Sequence, residues 1–232
     1  MKINGTDIRK YNAKQLTADV QPPSFTNSYE WLTGATLPTE LETKVEMGHL
    51  KLSIYFRGSD RNGLIRSASE FMENFKQACE MKLDGYKGKY VGYITSSDYE
   101  KKKTKGRYVV NIEFDGFFVD EDISVVFDGV YTASYYRVGT RDTPCIVEVY
   151  AKSALTNYKI AGLTDSSIVV ESLAAGKTLV IDAKTGLITI DGENAFDKVD
   201  LWEFPILKAG KTSLIFTNTK AKVTIKYTPM WI

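Results

Sequence analysis

Histidine is nearly missing from this chain: His49 is the only one in 232 residues, and cysteine is confined to Cys79 and Cys145. These scarcities exclude a good deal of chemistry. A lone imidazole can act as a base only beside a nucleophile and an orienting acid. No Gly-x-Ser-x-Gly elbow accompanies it. One His and two distant Cys cannot supply a tetrahedral zinc set, and two Cys in a chain of this size do not make a disulfide framework. His49 is therefore expected to be a structural or surface residue. The two thiols are expected to be small buried hydrophobes in a reducing or redox-indifferent compartment.

No run of 18 apolar residues occurs, so no segment is expected to span a membrane. The opening MKINGTDIRK is polar where a leader would be apolar, so synthesis and folding in the cytoplasm are expected. Charge of one sign is also lacking. Thirty basic side chains face 29 acidic ones, for a net charge of +1, without the basic excess that a duplex-binding protein uses to neutralise phosphates. Gly186, Gly192 and Gly210 stand alone, in neither Walker nor dinucleotide order. Asp182, Asp191 and Glu193 sit at hairpin ends as turn residues, without the ligand spacing of an EF-hand. No cofactor and no metal are expected, and no catalytic residue is assigned.

Strand signals fill most of the chain. Aromatic residues make up 12% of it, a content that favours strands and contact surfaces. Ile3–Ile8 reads as a short strand and turn around Asn4-Gly5. Gln21–Leu41 carries Pro22, Pro23 and Pro38 around Trp31 and reads as an irregular loop. His49–Phe56 alternates Leu50, Leu52 and Ile54 with polar residues, as a strand does. One helix is expected from Asn62 onward. Leu64, Ala68, Phe71, Met72, Phe75, Ala78 and Cys79 recur at spacings of three and four, with Asn62 as N-cap and Gly85 just beyond the stop. Tyr90–Thr95 and Arg107–Phe114 flank a polar stretch and predict an extended hairpin. Its Lys101, Lys102, Lys103 and Lys105 are either a soluble tip or a contact for an acidic partner. Tyr93, Tyr99 and Tyr108 are candidate interface residues from hairpin position. Asp120-Glu121-Asp122 closes a strand, and the polar segment 137–143 is taken as the domain boundary.

Downstream, Cys145, Val147, Val149 and Ala151 alternate with Glu148, Tyr150 and Lys152. Tyr158–Gly162, Ser167–Leu173, Leu179–Asp182, Leu187–Asp191, Leu214–Phe216 and 223–227 read as further strands with turns between them, the pattern of an antiparallel sandwich. The expected fold is mainly β (all-β or α+β): residues 1–138 form a β domain with one helix and a long hairpin, and 139–232 form a β-sandwich. Tyr150, Tyr158 and Trp202 are candidate saccharide-stacking aromatics. A hydrolase would need carboxylates that converge only in three dimensions.

Several segments carry a resemblance in their order and spacing. They are Ile3–Ile8, the passage His49–Phe75 through Phe56-Arg57-Gly58-Ser59-Asp60-Arg61, and Phe114-Asp115-Gly116-Phe117. Further on come Thr178–Asp182, Gly192-Glu193-Asn194, Trp202-Glu203-Phe204-Pro205, Leu207-Lys208-Ala209-Gly210 and Ile225–Pro229. Together these resemble the distal tail (Dit) proteins of siphophages and prophages of Gram-positive bacteria. The resemblance implies a galectin-like C-terminal sandwich and an N-terminal domain that assembles into a six-fold hub ring. That ring would join the tail tube to the tail tip or baseplate of the virion, with the tube protein and tip proteins such as a tail-associated lysin as neighbours. DNA would pass through it without specific binding. On the argument that like charge repels phosphate, Asp120, Glu121 and Asp122 are expected to face that channel. The alternative function is a glycan-binding adhesion module for the host surface.

Overall fold

The computed structural model describes residues 1–101 and 107–231. They fall into two compact units, Met1–Val119 and Asp120–Trp231. Lys102, Lys103 and Lys105 lie outside the described residues.

The N-terminal unit is built on one antiparallel sheet. Its neighbouring strands run Thr6–Asp7, Lys2–Ile3, Cys79–Lys82, Lys89–Lys101, Arg107–Val119, Gly48–Arg57 and Ala13–Gln21. The central pairing sets Leu50 opposite Phe114, Leu52 opposite Ile112 and Ile54 opposite Val110. Each of these residues is buried, because a period of two sends them all to one face. The helix Arg61–Met72 covers that face with Leu64, Ala68 and Phe71. Ring contacts continue the seam from Phe56 to Phe71 at 5.3 Å, Phe71 to Phe75 at 5.2 Å and Phe75 to Phe114 at 5.1 Å, the edge-on and tilted contacts that aromatic quadrupoles favour.

The helix differs from its sequence reading at both ends. Asp60, not Asn62, is the N-cap: its carboxylate accepts the Gly63 N–H at 2.8 Å. That hydrogen bond holds the Asp60 carboxyl below its ordinary range. At the other end, Asn74 donates to the Phe71 carbonyl at 2.7 Å, and a 3-10 turn over Glu73–Phe75 closes the element. Cys79 is therefore not on the helix. It opens the strand Cys79–Lys82, where Cys79 and Met81 point inward.

Three glycines line up across three strands, with Gly48 opposite Gly116 and Gly116 opposite Gly92. A β-carbon on Gly116 would lie 2.2 Å from the Val91 carbonyl oxygen and 2.6 Å from the Gly92 Cα. Tyr90 crosses this row and donates its hydroxyl to the Gly48 carbonyl at 2.7 Å. Two residues beyond Gly92 on the same strand, a bulge between Ile94 and Ser96 shifts the hairpin register.

The segment Gln21–Leu41 is not the irregular loop that its prolines suggest. Phe25–Glu30 and Thr39–Val45 pair as an antiparallel two-stranded arm, which leaves the sheet between Gln21 and Gly48. Pro22 and Pro23 lie outside the ladder, and Pro38 stands just before the second strand, where a missing N–H costs no pairing.

The C-terminal unit is a sandwich of two antiparallel sheets. One runs Ile123–Asp128, Ala221–Tyr227, Thr143–Ala151, Thr178–Asp182, Leu187–Ile190 and Glu193–Asn194. The other runs Thr132–Tyr136, Lys211–Phe216, Leu155–Ala161, Ile168–Leu173 and Val199–Asp200. Cys145, Val147, Val149 and Ala151 are fully buried in the shared core, together with Tyr158, Ile160, Ile168 and Val170. The first two strands of this unit lie ahead of the 138/139 boundary read from the sequence. Ile123–Asp128 pairs with Ala221–Tyr227 and Thr132–Tyr136 with Lys211–Phe216, so long-range ladders tie 120–138 to the sandwich.

The polar segment 137–143 also does structural service. Arg137 is 2% exposed and its guanidinium is held by carbonyls. Nε donates to Lys208 at 3.1 Å, Nη1 to Val138 at 3.3 Å and Nη2 to Arg141 at 2.6 Å. A planar fork of donors can satisfy several carbonyls at once, and this one clamps the start of the segment to the turn that carries Lys208.

Two stability outcomes follow from these contacts. Gly116→Ala forces backbone against backbone and is expected to lower the unfolding free energy by about 2 kcal/mol in denaturant titration. An unchanged midpoint would show that the strands separate freely. Arg137→Ala removes the donors of three partly buried carbonyls and leaves a cavity where a buried side chain stood, and is expected to cost about 3 kcal/mol. Arg137→Lys should rescue little of this, since an ammonium lacks the fork geometry.

Candidate functional site

The surfaces of the N-terminal unit follow from its alternation. On the sheet face turned from the helix, rows run across the central strands. His49 Nδ1 lies 2.8 Å from Asp115 Oδ1, Ser53 donates to Asn111 at 2.7 Å and Ser96 donates to Glu113 at 3.0 Å. His49 thus belongs to a polar row on a sheet face, between the carboxylates of Asp115 and Glu113.

The hairpin residues singled out in the sequence divide between the two faces. Tyr93 is in register with Asp115 and is 56% exposed. Beyond the bulge the parity of that strand changes, so Tyr99 comes to the helix side, where Tyr108 of the partner strand already points by its alternation with Val110 and Ile112. There their rings stack at 5.4 Å with an interplanar angle of 24°. They border a groove of about 210 Å³ with Ile65 and Met72, and partial burial raises the Tyr108 pKa. Lys101 ends its strand opposite Tyr108.

The most exposed apolar surface is the arm. Phe25, Tyr29, Trp31, Leu32, Leu37 and Leu41 are each more than half exposed. Sequence reading missed the arm, although the alternation Thr39-Glu40-Leu41-Glu42-Thr43 between proline-marked ends was its available signal. At the far end of the parent strands lies a shallow depression of about 780 Å³, lined by Arg9, Lys14, Tyr55 and Arg57 among others.

In the C-terminal unit the acidic trio is partly engaged. Trp231 Nε1 donates to Asp120 Oδ2 at 3.0 Å, and the Thr228 hydroxyl donates to Asp122 Oδ1. Glu121 is exposed. Tyr158 is 1% exposed and packs in the core, so it offers no stacking face to a saccharide. Tyr150 and Trp202 are exposed, at 42% and 92%. Tyr150 lies on the strand Thr143–Ala151, whereas Trp202 lies in a loop.

Among the described residues, no group of three or more His, Cys, Asp and Glu side chains could hold a metal ion. Burial pushes the Cys79 thiol up to about 11 and the Cys145 thiol up to about 12. Neither supplies thiolate near neutral pH. The features that stand out are therefore surfaces for contact: exposed strands, an apolar arm and charged patches.

This architecture, a sheet-and-helix unit followed by a sandwich, has counterparts among known proteins. Residues 138–231 match the model of the family described as siphovirus-type tail component, C-terminal domain, and the resemblance to the distal tail proteins is borne out. Among solved structures, the crystal structure of the SPP1 Dit protein (gp 19.1), described as a paradigm of the hub adsorption apparatus in phages infecting Gram-positive bacteria, aligns with a TM-score of 0.77. The alignment has 12% identity and covers 100% of this chain and 98% of that one. Chains of the phage p2 baseplate in its activated conformation align with TM-scores of 0.51 (with Ca) and 0.50 (with Sr). Each has 12% identity and covers 95% of this chain and 92% of that one. At such identity these likenesses establish the fold. No curated protein sequence matches the chain.

Thiol accessibility gives a direct check on the buried cysteines. A thiol reagent is expected to react with neither cysteine in the native protein and with both in denaturant. Rapid native reaction at either position would place that thiol at the surface.

Proposed function

We propose that this chain is a structural subunit of the distal tail of a siphophage or prophage, six copies of which close into a hub ring between the tail tube and the tip or baseplate. The observation that carries the reading is the end-to-end match to SPP1 Dit, in which both units align over 100% of this chain and 98% of that one. The match to the tail-component family over 138–231 supports it independently. The role is mechanical, not catalytic. Heterologous contacts of one kind, repeated around an axis, close a ring, and each contact would bury about 800 Å² per partner.

In this reading the ring meets the tail tube protein on one side and tip proteins, such as a tail-associated lysin, on the other. DNA passes through without specific binding, in keeping with a chain of net charge +1. Asp120, Glu121 and Asp122 border the channel, where negative charge repels phosphate. The subunit is made in the host cytoplasm and resides in the virion.

Light scattering coupled to size exclusion tests the assembly. The expected mass is 6 × 26.0 = 156 kDa, with rings visible by negative-stain microscopy. A 26.0 kDa species alone, at every concentration and without rings, would overturn the self-assembling reading.

A further inference from the structure

Opposite ends of the same two strands carry complementary surfaces. The strand Ala13–Gln21 pairs with Gly48–Arg57, with Gln21 opposite His49 at one end and Lys14 opposite Tyr55 towards the other. The arm leaves at the Gln21 end. Both of its strands and its whole tip are exposed, apart from half-buried Val45. A two-stranded ribbon alone in water is marginal, and one that displays a row of large apolar side chains is a contact surface waiting for a partner. The arm is also acidic. Between Phe25 and Glu46 it has Glu30, Glu40, Glu42 and Glu46 against Lys44 alone, four negative charges to one positive.

The far end has the reverse character. Lys14, Tyr55 and Arg57 border the depression of about 780 Å³. Arg57 stands directly opposite Arg107 in the ladder, a cross-strand arrangement of like charges that is unfavourable unless countered. None of Lys14, Arg57 and Arg107 has an ion-pair partner among the described residues. Gln21 lies seven positions beyond Lys14, roughly 23 Å along a strand, so the arm starts at the end remote from its own basic patch.

We infer that the acidic, apolar arm of one copy docks on the Lys14–Arg57–Arg107 end of the next copy. Glu40 and Glu42 counter the cations, and the Arg guanidiniums stack on the arm aromatics Tyr29 and Trp31. Because donor and acceptor surfaces differ, the contact is head-to-tail, the kind that can propagate around a ring. The inference rests on the self-assembling reading above and specifies its contact.

The test is a charge swap, read by sedimentation and light scattering on the full chain. Glu40→Lys with Glu42→Lys, and separately Lys14→Glu with Arg57→Glu, are each expected to weaken self-association by about tenfold or more. Combining all four substitutions should restore it. Wild-type association should also weaken with salt. Melting curves establish that each variant is folded, and a variant that fails is replaced by its Gln counterpart. If the wild type assembles and both reversals assemble equally well, this contact is wrong while the ring reading stands. Disruption by both without restoration in the combined variant also overturns the pairing. A wild type that never associates removes the ring reading and the contact together.

Discussion

The N-terminal unit depends on how closely its backbones approach at Gly116. With Gly48, Gly116 and Gly92 in one row, three strands meet where no β-carbon fits at Gly116 or Gly92, and Tyr90 ties the row through its bond to Gly48. That row anchors the register of the central pairing. A one-residue slip would carry Leu50, Leu52 and Ile54 to the opposite face and leave the aromatic seam of the helix without a floor. Helix placement, the Tyr99–Tyr108 stack and the polar rows of the outer face are all consequences of this register.

The C-terminal unit solves a different problem. Its two sheets bury mainly alternating apolar residues, and the buried charge sits where the chain enters from the first strands. There Arg137 satisfies backbone carbonyls that a loop would otherwise bury unpaired. A cation here is held by backbone oxygens and not by a carboxylate, so the clamp depends on fork geometry more than on charge. The same argument explains why the compact unit begins at Asp120, although the polar run that looked like a linker lies further on.

Much of the fold was legible because burial in strands has period two. Cys145, Val147, Val149 and Ala151, or Leu50, Leu52 and Ile54, announce their face in any reading. The failures have physical causes. Phe71, Phe75 and Cys79 keep a helical spacing by coincidence, while Cys79 and Met81 already obey the period of the next strand, and sequence alone does not arbitrate between them. The arm has no buried face, so it has no burial pattern to read. The bulge at Ile94–Ser96 reverses the parity of everything beyond it, and for that reason Tyr93 and Tyr99, taken together from the sequence, lie on opposite faces. Tyr158 failed as a surface aromatic because strands place aromatics inward as readily as outward. Contact sites were the least legible element: they are defined by what is left outside two complete cores.

That leftover can be weighed. Full burial of a large apolar side chain contributes about 1.5–3 kcal/mol, so the six exposed on the arm could supply on the order of 10 kcal/mol if all were covered. Association itself costs an estimated 4–15 kcal/mol in lost rigid-body freedom. Apolar burial on the arm is thus of the size needed to offset the cost of one contact, without a large surplus. In that regime charge decides geometry: exposed ion pairs add little affinity, but mismatched charges reject wrong orientations. In the proposed contact, an acidic arm at one end of two strands and cations without ion-pair partners among the described residues at the other would therefore act chiefly on direction. They would disfavour arm-to-arm and patch-to-patch pairing, which ends in a closed dimer, and leave the head-to-tail contact that a ring would require.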